Sequence, residues 1–193
     1  MRRLSYIFFC LILLGTLAFA QPVNQSGGFK PGSEPDGFRG IKWGTPIFSL
    51  DAMIQVWVDD DTKLYERQGD PLEIGSAKLH TILYVFWQDK FMEARVVIPK
   101  HYGPDKDEMA NFNAIREICS ERFGDRGKPI LGKEQYSWHG DKSWIWLGFE
   151  DPGYLRLNLG STELQQEKKV LEEKRTAQEE TFRIAKAKEA KGF

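Results

Sequence analysis

Residues 79–98 read LHTILYVFWQDKFMEARVVI, and this stretch decides the fold. Two apolar runs, 79–87 and 91–98, are rich in β-branched and aromatic residues and are separated by Gln88-Asp89-Lys90. That pattern predicts two antiparallel strands joined by a tight turn. Strict alternation in the second run places Met92, Ala94, Val96 and Ile98 on one face. Phe91, Glu93, Arg95 and Val97 then take the other. One face is wholly apolar and the other mixed, as expected of a sheet with a helix packed on one side.

The covering helix follows directly. Pro104-Asp105 opens it, and Asp105 with Glu108 forms a D-x-x-E variant of the capping box. Met109, Phe112, Ile115, Cys119 and Phe123 recur every three or four residues, with Ile118 beside them, and Gly124 supplies the usual terminator. Packing Met109, Phe112, Ile115 and Cys119 against Val96, Ile98, Leu155 and Leu157 would give the core. Upstream, 54–58 and 63–67 read as strands around an Asp59-Asp60-Asp61-Thr62 turn. Downstream, 135–139, 142–149 and 154–159 read as three more, turning at Gly140-Asp141 and Asp151-Pro152-Gly153. Together these elements predict an α+β fold: a largely antiparallel sheet, one amphipathic helix on it, and a charged C-terminal helix.

The ends of the chain divide as follows. Arg2 and Arg3, the apolar run from Tyr6 to Leu17 and the closing Ala18-Phe19-Ala20 read as a signal peptide over 1–20, cleaved before Gln21. Residues 21–37 are rich in Gly, Pro and Ser and read as a flexible linker. The globular domain is expected over 38–160. Residues 161–193 read as a charged helix capped by Thr162, with Gln165 three residues on. Leu164, Val170 and Leu171 are its candidate docking residues, with fraying toward the end, and Phe182 and Ile184 are an alternative partner-binding face.

Composition restricts the function classes. There are 27 basic against 28 acidic residues, and cleavage would remove two of the basic ones. This balance leaves no electrostatic footprint for nucleic acid. Cleavage would also remove Cys10, leaving Cys119 as the only cysteine and no internal disulfide. No anchor is expected after cleavage, so the expected location is the periplasm or the exterior of a bacterial cell, in a domain that stands on its packing.

No catalytic set can be assigned, and no cofactor or metal is expected. His80, His101 and His139 lack ligand spacing, the Asp59-Asp60-Asp61 run lacks the alternation of a calcium loop, and the elbow, Walker and dinucleotide signatures are missing. The distinctive cluster is aromatic: Tyr136, Trp138, Trp144 and Trp146 in one hairpin. Period two puts Tyr136 with Trp138, and Trp144 with Trp146. Across the Gly140-Asp141 turn the four could form one exposed platform for sugar rings or an extended peptide. The alternative is a core packed by large aromatics, because Ile145, Leu147 and Phe149 make the other face of the strand apolar too.

The opening Gly37-Phe38-Arg39-Gly40-Ile41-Lys42-Trp43-Gly44-Thr45 resembles that of uncharacterised bacterial exported proteins, a family of unknown function. The order that follows is similar as well: Tyr65-Glu66-Arg67, Gly69-Asp70, Ile74-Gly75, Tyr84-Val85-Phe86-Trp87, a helix ending at Phe123-Gly124, and Tyr136-Ser137-Trp138. The resemblance implies a bacterial envelope location and brings no activity, ligand or catalytic residue with it. The expected role is a non-catalytic binding or interaction domain for an envelope protein, peptide or glycan. The alternative is a cell-wall or polysaccharide hydrolase using the 136–146 hairpin with Glu134, Asp141 or Glu150.

Overall fold

The computed structural model describes residues 28–98, 107–124, 135–150 and 154–189. The expected signal peptide, residues 21–27 of the expected linker, His101, the Pro104-Asp105 helix start and Glu134 lie outside them. Eleven strands and two α-helices are seen among the described residues. A small hairpin of β1 (Gly37–Phe38) and β2 (Ile41–Lys42) comes first. It is followed by β3 (Met53–Asp59), β4 (Thr62–Arg67), a second small hairpin of β5 (Glu73–Ile74) and β6 (Ala77–Lys78), β7 (Thr81–Trp87) and β8 (Lys90–Ile98). Helix α1 (Asp107–Phe123) leads to β9 (Tyr136–His139), β10 (Ser143–Glu150) and β11 (Tyr154–Ser161), and α2 (Thr162–Glu189) ends the described chain. The order in the main sheet is β3-β4-β7-β8-β11-β10-β9, and every pair is antiparallel. The fold is therefore α+β, with a largely antiparallel sheet and two helices.

The β7–β8 hairpin turns through Gln88 and Asp89, both at positive φ (49° and 62°). Two such residues make the mirror-image turn whose twist matches that of the strands. Simple alternation fails in β8. The register moves from Val85↔Glu93 to Phe86↔Phe91, leaving Met92 as an extra residue. This bulge turns Phe91 onto the same face as Ala94, Val96 and Ile98, and sends Met92 to the face of Glu93. The expected positions of Phe91 and Met92 are thus exchanged.

One face carries the main core. A row of paired residues crosses six strands: Tyr65, Tyr84, Ala94, Leu159, Ile145 and Trp138. Helix α1 covers this face through Phe112, Ile115, Cys119 and Phe123, all buried, whereas Met109 is exposed instead of docked. The other face holds a smaller cluster of Leu64, Val85, Trp87, Met92 and Leu164, with Leu83 and Leu171 against it. Helix α2 crosses the sheet there. Its cap is Ser161, one residue before the expected Thr162, because the Leu164 N–H donates to Ser161 Oγ at 3.2 Å. Val170 is exposed, so only Leu164 and Leu171 of the three expected docking residues reach the body. The helix runs unbroken to Glu189, and every residue from Glu172 to Ala187 is exposed.

The segment expected to be a flexible linker is ordered where it is described. Phe29 meets Phe123 edge-on at 5.7 Å, and the Lys30 N–H donates to Phe123 O at 2.7 Å. Glu34 accepts from the backbone N–H groups of Lys142 and Ser143 at 2.5 and 2.8 Å. Charge-assisted bonds to a turn's unpaired amides offset the ordering cost that composition alone could not.

Candidate functional site

The aromatic hairpin does not form one platform. The β9–β10 register pairs Trp138 with Ile145 and Tyr136 with Leu147, so even-numbered residues of one strand face the same way as odd-numbered residues of the other. Tyr136 and Trp138 therefore turn toward α1. Tyr136 contacts Phe112, with ring centroids 5.9 Å apart, and Trp138 is fully buried, donating its indole N–H to Gly124 O at 2.8 Å. Trp144 and Trp146 turn to the opposite face and are half-buried. Their rings lie across glycines. A Cβ at Gly160 would stand 2.7 Å from the Trp144 ring, and one at Gly148 would stand 3.0 Å from that of Trp146. Rings laid over strand glycines fill space that a side chain would take.

Beside these tryptophans, Glu93 and Arg95 form a two-bonded fork, Arg95 Nε and Nη2 each 3.0 Å from a Glu93 oxygen. They stand on one face two residues apart, and Glu93 is buried. Helix α2 overhangs them, enclosing a groove of about 580 Å³ with Lys168, Lys169 and Glu172 on its helical wall. Lys168 also reaches Thr62 Oγ1 at 3.1 Å. Glu93 is thus occupied by a permanent cation. Asp141 is exposed at the hairpin tip, and the side chain of Glu150 lies outside the description. His139 is exposed, and among the described residues no group of three metal-ligating side chains converges.

The most conspicuous surface lies at the other end of the sheet. Among the described residues strand β3 pairs only with β4, so its outer edge is unpaired in the sheet order. Although the run Ile54-Gln55-Val56-Trp57-Val58 is strongly apolar, Ile54, Val56, Trp57 and Val58 are each 47–53 % exposed. A bulge at Val56 shifts the register between Gln55 and Trp57. Ile54 and Trp57, opposite Glu66 and Leu64, thereby share the face on which α2 lies, because Leu64 packs with Leu164 of that helix. Arg175 Nη2 lies 2.6 Å from Asp61 Oδ2 in the β3–β4 turn. From that anchor the exposed remainder of α2 continues to Glu189, about 21 Å at 1.5 Å per residue, carrying exposed Phe182 and Ile184.

No family model, curated protein or solved structure matches this chain. Among the described residues no helix is long and apolar enough to cross a membrane. The functional reading rests on the surfaces themselves.

Proposed function

We propose that this is an exported protein of the bacterial envelope, periplasmic or secreted, that acts as a non-catalytic interaction domain and takes an extended segment of a partner protein along β3. The observation that carries the reading is the β3 edge, an unpaired row of backbone donors and acceptors flanked by four half-exposed large apolar side chains. An added strand would satisfy that row, and alternate side chains would cover Ile54 and Trp57 on one face and Val58 on the other. Asp59 and Asp60, at the end of the strand beyond the Arg175–Asp61 pair, favour a basic residue on the incoming segment. The n-region, h-region and Ala-Phe-Ala site of 1–20 support export.

Display selection of nine-residue peptides on the full chain tests this. Recovered peptides should alternate β-branched or aromatic residues and carry a flanking Lys or Arg. Trp57→Asp should weaken them at least about tenfold, equivalent to about 1.4 kcal/mol. Failure to enrich such peptides, or equal binding by Trp57→Asp, would refute the reading. So would a stable dimer of the wild-type chain by sedimentation that Trp57→Asp dissolves, because the edge would then belong to a second copy.

A further inference from the structure

The opening motif Gly37-Phe38-Arg39-Gly40 has a structural role that the β3 edge does not use. It forms one wall of a pocket of about 300 Å³. The floor is the core face of β11, Leu157 and Leu159, together with Cys119 of α1, and Ile74 and Ile118 close the other sides. Gly75 lets two of these walls close on each other: a Cβ there would lie 2.4 Å from the Ile118 side chain. Close-packed interiors leave few voids larger than one water. This pocket is larger and reaches the lower end of the range of small-molecule sites, about 300–1,000 Å³.

The charge at its mouth has one sign. Among the described residues Arg39 and Arg122 line it, and no carboxylate does. Arg39 is committed elsewhere, donating to Pro71 O and Glu73 O at 2.6 and 2.8 Å and pairing with Asp70 at 3.0 Å. Arg122 is different. It is exposed, and its guanidinium stands over the Phe123 ring, 5.6 Å from the centroid. Among the described residues no carboxylate pairs with it within 4.0 Å. An apolar interior with a cation at its rim that no described carboxylate pairs selects a ligand with an apolar tail and an anionic head.

We propose that the pocket binds a medium-chain carboxylate, its tail against Leu157, Leu159 and Cys119 and its head at the Arg122 guanidinium. This site is on the core face of the sheet and is independent of the β3 reading. The pocket is too small for a second chain, so the ligand enters as a free monomer.

Calorimetric titration of the full chain with hexanoate, octanoate and decanoate provides the test, with methyl spectra of Ile- and Leu-labelled protein to locate binding. Affinity should rise roughly fourfold per added methylene, the factor for burying one CH2, and level off once the tail fills the pocket. Octanoate should bind at least about tenfold more tightly than octylammonium. Arg122→Gln, a change at an exposed position, should remove that preference and leave octanol binding unchanged. Methyl shifts should fall on Ile74, Ile118, Leu157 and Leu159 and spare Ile54. The proposal is overturned by affinity indifferent to chain length, by equal binding of octylammonium, or by shifts elsewhere. Uptake only from anionic phospholipid vesicles would also overturn it, since the source would then be a membrane surface.

Discussion

Trp138 is fully buried and donates its indole N–H to Gly124 O, whereas Trp146, eight positions later in the same hairpin, is half-buried with its ring over Gly148. Truncating the first leaves a cavity and an unsatisfied carbonyl at the end of α1. Trp138→Ala should therefore cost about 3–5 kcal/mol. Trp146→Ala opens no closed cavity and should cost less than about 2 kcal/mol. Urea unfolding of the two variants measures the difference, and equal losses would contradict the opposite-face arrangement. The composition of the hairpin was legible in the sequence, since both pairs of aromatics were assigned to shared faces within their strands. The relation between the strands was not. A turn one residue longer or shorter exchanges the faces of an entire strand, and turn composition does not specify its length.

At the scale of elements, the start of α2 shows how sequence and structure can differ by one residue. Thr162 with Gln165 and Ser161 with Leu164 both offer a side-chain oxygen three residues before a helical amide. The structure uses Ser161, which is buried at the end of β11. Thr162 instead donates its hydroxyl to Gly140 O at 3.2 Å, tying the helix to the β9–β10 turn. Ser161→Ala should lower stability by about 1 kcal/mol through the lost cap. Thermal melts of Ser161→Ala and Thr162→Ala, with far-ultraviolet dichroism following α2, should show the larger loss of helix signal for Ser161→Ala. Strand β8 teaches a related lesson. Its existence and length follow from residue type, but the Met92 bulge depends on matching Val85 and Phe86 across the hairpin. No local pattern in 91–98 encodes that match.

Over the whole molecule, one buried polar network ties three parts together. Arg39 of the opening motif pairs with Asp70, and the Tyr84 hydroxyl of β7 donates to Asp70 at 2.5 Å. Burial, and then the bond to Asp70, hold the Tyr84 phenol well above its ordinary range. Burial pushes the Cys119 thiol up to about 12, against a smaller opposing effect of Arg122. Both groups are kept neutral in the fold, so their contribution is complete below the pKa values of the unfolded chain. It is lost as pH rises toward the folded values. Stability should fall above about pH 9 as the unfolded thiol ionises, and again above about pH 10 with the unfolded phenol. Each group should contribute a slope of about 1.4 kcal/mol per pH unit. Cys119→Ala should abolish the first part of that decline and Tyr84→Phe the second, as read by urea unfolding at pH 7 to 11. A decline unchanged in both variants would show that the fold does not hold these two groups neutral.

The same scale separates what residue order determines from what only folding decides. Residue order sets the α+β class, the positions of the main strands, and the inward faces of Ala94, Val96 and Ile98 and of Phe112, Ile115, Cys119 and Phe123, but not those of Phe91, Met92 and Met109. Those features depend on local period, propensity and turn chemistry, which act between residues a few positions apart. Strand order, register across the β9–β10 turn, the fastening of residues 28–36 through Glu34, and the edge position of β3 were decided by the tertiary structure. An apolar strand reads alike whether its neighbours lie on both sides or one. Exposure belongs to the arrangement of strands that are distant in sequence, so the surface proposed to bind a partner became visible only once the sheet was assembled.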